Sequence, residues 1–81
     1  MSKLVFPIKT SKYRKFLESK GWCFNRIRGD HEIYTKDDCD DEIVFITNDK
    51  EVQPFIIRQN NKTLGISDKD FLKIIQNKKF K

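Results

Sequence analysis

Tyr13, Phe16 and Leu17 recur at helical spacing with Lys12, Arg14, Lys15 and Glu18 between them, so the pattern predicts a helix over residues 11–20. Thr10 or Ser11 can cap its start, and Gly21 supplies a left-handed stop. Upstream, KLVFPI (3–8) is apolar but interrupted by Pro7, which fits an extended arm or edge strand within residues 1–10 and argues against a central strand. From Trp22 the period changes to two, with Trp22, Phe24, Arg26 and Arg28 on one side and Cys23, Asn25 and Ile27 on the other. Gly29-Asp30 is a two-residue reversal. His31 to Thr35 then forms an antiparallel neighbour, with Ile33 on the face of His31 and with Glu32 and Tyr34 on the opposite face.

The remaining elements follow from the same periods. KDDCDDE (36–42) reads as an acidic loop, EIVFIT (42–47) as a third strand, and PFIIR (54–58) as a fourth, beyond the turn NDKEVQ. Ser67 opens a second helix with Asp70 three residues on, an aspartate version of the capping box. Phe71, Leu72, Ile74 and Ile75 form its buried stripe, and Lys78 and Lys79 complement its carboxyl end. The predicted fold is an α+β two-layer sandwich, α-β-β-β(-β)-α, in which both helices cover one face of an antiparallel sheet.

Size and composition narrow this picture. The 81 residues form one expected domain, and folding at this length buries roughly 60–65% of the surface of the unfolded chain. Seven Phe, two Tyr and one Trp must therefore supply much of the core volume. Seventeen basic residues against twelve acidic ones give a net charge of +5, which favours a polyanionic partner, although solvated lysines account for a charge of this size equally well. Cys23 and Cys39 lack C-x-x-C spacing and there is a single histidine, so no metal site is expected. The acidic loop lacks the central glycine of a calcium loop. No leader pattern begins the chain and its apolar runs are far too short for a membrane span, so the expectation is a cytoplasmic protein with reduced thiols and no membrane partner.

With both helices on one face, the other face is open and carries alternate residues of every strand. A basic open face suits RNA, whose accessible features are phosphates, 2′-hydroxyls and unstacked bases. Arg26, Arg28 and Arg58 are the arginines of the predicted strands; they either contact RNA or cover hydrophobic neighbours with their stems. His31 sits immediately after a glycine turn, where a ring is held rigidly at the sheet rim and can accept or donate a proton near neutral pH. Without further context, a lone histidine is ordinarily a plain surface or half-buried residue.

GWCFNRIRGDHEIYT (21–35), preceded by a short helix and followed by strands and a helix after NNKTLGIS (60–67), resembles the HicA family of toxin mRNA interferases. The hallmark residues of that family correspond to Gly21-Trp22 at the helix end, Arg26 in the strand, and Gly29-Asp30-His31 ahead of Ile33-Tyr34. The resemblance covers about residues 11–77 and is tightest in the first third. It implies a double-stranded-RNA-binding-like fold and ribonuclease activity on mRNA with no cofactor or metal. It also implies His31 as the catalytic residue, Gly29 and Asp30 as the turn that places it, and a HicB-type antitoxin as partner. Asp30 departs from the family's small polar residue, and Arg58-Gln59 stands where the family often has Pro and a second His or Arg. Three function classes follow: an RNA-cleaving toxin; a non-catalytic module of the same fold, binding RNA or protein and of phage or mobile-element origin; and a structural partner that touches no nucleic acid.

Overall fold

The computed structural model describes residues 6–76. In chain order the elements are β1 (Ile8–Lys9), α1 (Thr10–Ser19), β2 (Cys23–Arg28), β3 (His31–Lys36), β4 (Cys39–Ile46), β5 (Glu51–Val52), α2 (Pro54–Leu64) and α3 (Asp68–Ile75). Strands β2, β3 and β4 form an antiparallel sheet in that order, and β1 pairs with β5 in a separate two-stranded sheet. The architecture is the expected α+β two-layer sandwich with one further helix. Residues 3–5 of the predicted arm, and Lys78 and Lys79, lie outside the described residues.

Aromatic rings dominate the core between the layers. Tyr13, Phe16 and Leu17 of α1 are buried in one cluster with Tyr34, Ile43 and Phe45 of the sheet, and Phe71 and Ile75 of α3 close it from the same side. Tyr13 meets Phe45 edge-on at 5.4 Å between ring centres, and Phe16 meets Phe71 edge-on at 5.0 Å. Edge-to-face contacts set the positive rim of one ring against the negative face of another. Trp22, just ahead of β2, is also buried here, and its backbone N–H donates to the Leu17 carbonyl at 3.0 Å, closing α1.

Four local expectations are corrected. First, PFIIR is the start of helix α2, so the fourth strand at 54–58 does not exist and Arg58 is a helix residue. A short apolar run fits either element. Pro54 at the helix start has its φ preset for helix, Ile57, Asn60 and Asn61 are buried at i, i+3 and i+4, and Gly65 ends the helix at φ 75°. The helix lies against β4, where the Asn60 side-chain amide donates to the Val44 carbonyl at 3.1 Å and to the Tyr13 hydroxyl at 3.3 Å. It thereby covers a strand edge that would otherwise present unpaired backbone groups.

Second, the acidic segment is mostly strand. Lys36 pairs with Cys39, so the reversal is only Asp37-Asp38, with Asp38 left-handed at φ 68°, and β4 begins at Cys39. Third, β2 does not alternate regularly. A bulge between Phe24 and Arg26 leaves Phe24 opposite Tyr34 and Arg26 opposite Ile33. One extra residue flips the side chains beyond it. Phe24 therefore shares the helix-covered face with Tyr34, while Arg26 and Arg28 share the open face with Ile33 and His31. At the first helix, neither proposed cap operates: Lys9 occupies the cap position without a side-chain bond, and the Thr10 hydroxyl donates to the Asp49 carbonyl at 2.6 Å. The Ser67 cap forms as expected, its hydroxyl accepting from the Asp70 N–H at 3.0 Å.

Candidate active site

The hairpin β2–β3 ends in the pair Arg28 and His31, directly opposite each other, with Gly29 and Asp30 between them. Gly29 has φ 63° and Asp30 has negative φ, the pattern of a II′ reversal whose first loop position favours glycine. The turn is fastened to the residue that follows β4, because the Thr47 backbone N–H donates to the Asp30 carbonyl at 2.7 Å. His31 thus starts its strand from a fixed point, with its side chain 52% exposed.

Asp30 Oδ1 lies 3.0 Å from His31 Nδ1. The carboxylate thus lies within ion-pairing distance of the Nδ1 edge of the ring, and Nε2 is the ring nitrogen farther from it. The turn residue that departs from the family pattern therefore sets a carboxylate directly beside the ring.

On the open face, Arg26 donates to Glu42 at 3.1 Å and to the Asn25 side-chain oxygen at 2.8 Å. Arg28 has no ion-pair or hydrogen-bond partner for its side chain among the described residues. Ile33, flanked across the strands by Arg26 and Val44, is only 4% exposed, so this face is not open along its whole length. Arg58 is not brought together with these residues. It projects from α2 with Nε 3.9 Å from Asp68 Oδ2.

Helix α2 nevertheless borders the histidine. A groove of about 370 Å3 runs between the open face of β4 and this helix, lined by His31, Val44, Ile46, Phe55 and Gln59 among others. Phe55 and Gln59 also face the neighbouring depression that contains Arg58. A strand over 54–58 gives no reason to expect Phe55 and Gln59 at this site; their one sequence signal is Pro54 with Gly65, a helix start and stop eleven residues apart.

Behind the site, on the helix-covered face, Glu32 is buried and receives both arms of the Arg14 guanidinium, together with the Thr47 hydroxyl at 2.7 Å and the Tyr34 hydroxyl at 3.3 Å. The hydrogen bond from Arg14 is the main reason the Glu32 carboxyl titrates below its ordinary range. Burial, with Glu32 nearby, pushes the Tyr34 hydroxyl up to about 12. The network ties α1 to β3 and to the residue that follows β4.

Among the described residues, no group of three or more His, Cys, Asp or Glu is placed to hold a metal ion. Cys23 and Cys39 are free thiols, and no described helix is long and apolar enough to cross a membrane.

Comparison with known proteins gives one match. No curated protein and no solved structure matches the chain. A family model described as the HicA toxin of bacterial toxin-antitoxin systems matches residues 11–66, from the second residue of α1 through the end of α2. That span holds the sheet, the Gly29-Asp30-His31 turn and the groove beside it, and on this match the chain belongs to the HicA toxin family.

Proposed function

We propose that this protein is a toxin-type endoribonuclease that cleaves mRNA through His31, without a metal or other cofactor, and is held inactive by a HicB-type antitoxin in the cytoplasm. The observation that carries the reading is the anchored hairpin, which sets an oriented, half-exposed imidazole directly across from Arg28 on an open sheet face. In this reading Nε2 of His31 removes the proton from a 2′-hydroxyl. The oxygen bonds to the adjacent phosphorus as the bond to the 5′ oxygen breaks, and that oxygen takes a proton from water. The products are a 2′,3′-cyclic phosphate and a 5′-hydroxyl end.

Arg28 neutralises charge on the non-bridging oxygens as the five-coordinate phosphorus forms, the contribution that most lowers such a barrier. Arg26 assists after exchanging Glu42 for phosphate, and Arg58 contacts the strand farther along, beyond α2. Induced expression of wild type and His31→Ala, followed by growth and mRNA decay, tests the assignment. Wild type is expected to stop growth and the variant to permit it; equal toxicity would remove His31 from the chemistry.

The second reading, a non-catalytic module of the same fold, draws on the carboxylates of Asp30, next to the histidine, and of Glu42, farther along the same groove, which repel phosphate. It predicts salt-sensitive RNA binding that survives His31→Ala, with no cleavage by the wild type.

A further inference from the structure

We propose that the groove between β4 and α2 seats an unpaired nucleobase next to the scissile phosphate, stacked on Phe55 and met at its edge by Gln59 and Thr63, so that the enzyme acts on single-stranded RNA. This rests on the ribonuclease reading of His31 and adds the substrate class and the residues that select it.

Phe55 is 67% exposed, the most exposed of the large hydrophobic residues described, yet it stands in the first turn of a well-formed helix. A ring left in water at the wall of a groove serves as a stacking platform, and every base has a π-face to offer it. The floor supplied by Val44 and Ile46 is apolar, while Gln59 and Thr63 bring an amide and a hydroxyl, the groups that read a base edge by hydrogen bonds.

Charge selects this occupant over a bare phosphate. Glu42 also lines the groove, so an anion entering it meets a carboxylate, whereas a neutral base does not. The cations lie outside on either side: Arg28 across from His31 on the sheet, and Arg58 beyond the far flank of Phe55 and Gln59. A strand crossing α2 would place phosphates near the two arginines and a base in the groove between them. Stacking on Phe55 requires the base to be free of a duplex stack, which makes single-strandedness a condition of binding.

Binding separates this inference from the cleavage reading. Hexamers of rA, rC, rG and rU, and a self-complementary RNA duplex, are titrated against His31→Gln, which cannot cleave, and against His31→Gln/Phe55→Ala and His31→Gln/Phe55→Tyr. Loss of the ring is expected to weaken hexamer binding roughly 5- to 100-fold, the range for one stacked base. The tyrosine variant retains affinity, and the salt dependence of binding is unchanged because no ionic contact is lost. Gln59→Ala is expected to flatten the preference among the four hexamers. Because Phe55 is exposed, thermal unfolding of the alanine variant should match the parent.

Equal hexamer affinity with and without the ring, or tighter binding of the duplex, overturns the proposal. Unchanged RNA binding combined with lost neutralisation by the antitoxin would instead assign the groove to a protein partner. Cleavage by wild type and none by His31→Gln is scored separately, so the nuclease reading can stand while the base site falls, or the reverse.

Discussion

The side chains of Asp30 and His31 lie against each other, Oδ1 3.0 Å from Nδ1, and the backbone carbonyl of the same aspartate accepts a hydrogen bond from the N–H of Thr47, just beyond β4. The carboxylate attracts the ring in its protonated form while the main chain holds the turn. Asp30→Ala is expected to slow RNA cleavage by about twofold to fivefold, the value of one exposed ion pair. Asp30→Asn keeps an oxygen acceptor and should lose less. Single-turnover cleavage by the purified variants checks this; a faster asparagine variant would mean that repulsion of phosphate outweighs orientation.

The arginines of the open face differ in what they must surrender. Arg26 is paired with Glu42, whereas Arg28 has no side-chain partner among the described residues. Arg28→Ala should therefore weaken RNA binding more than Arg26→Ala and lower the salt slope by about one unit. Glu42→Gln should strengthen binding by releasing Arg26 and removing a repulsive charge. Affinity measured across a salt series would expose an error in this ranking.

Stability at acidic pH depends on Glu32. Its carboxyl titrates below the ordinary 4.5 because Arg14 bonds the charged form, so its contribution is full above about 4.5 and is lost as pH falls through the lower folded value. Arg14→Ala leaves a buried carboxylate with only hydroxyl donors and should cost about 2–3 kcal/mol at pH 7, less than a fully enclosed pair because Arg14 is 37% exposed. Urea denaturation at pH 7 and in acid measures both effects, and the cost of the substitution should shrink once Glu32 is protonated.

At alkaline pH the limit is set by buried phenols. Burial pushes the Tyr13 hydroxyl from its ordinary 10.0 to about 12, so its contribution to stability is full below about pH 10 and declines as pH rises toward 12. Tyr13→Phe should soften this loss, with Tyr34 still contributing, while costing about 1 kcal/mol at neutral pH through the lost Asn60 bond. Circular dichroism across an alkaline titration provides the comparison.

Phe71 tests the aromatic core. It is fully buried against Tyr13 and Phe16, so Phe71→Ala should destabilise by about 3–5 kcal/mol. Thermal unfolding that barely moves would mean that α3 is not anchored as described.

Local chemistry was legible in the chain wherever one residue decides a conformation. The glycine of the reversal fixes the hairpin, the Ser67 hydroxyl fixes the start of α3, and the spacing of Tyr13, Phe16 and Leu17 fixes the buried stripe of α1. The place of His31, directly after that reversal at the start of a strand, was legible on the same terms, while its role rests on the resemblance to the family. The bulge beside Asn25 was not, because two registers of β2 have similar local cost and only the burial of Trp22 against α1, with Arg26 left to the solvent, separates them.

Tertiary structure alone decided what PFIIR becomes and where Arg58 points. Apolar β-branched residues suit a strand, but Asn60 can satisfy the outer edge of β4 only from a helix, and burying Ile57 and Asn61 on one side fixes that helix in place. The sequence by itself determined the two-layer fold and the glycine turn that precedes His31, whereas the hydrogen bond from Thr47 that anchors the turn came from the tertiary structure. Long-range packing decided that the wall beside that histidine is a helix carrying Phe55 and Gln59, because the free energy that chose it lies in contacts between segments that no local pattern records.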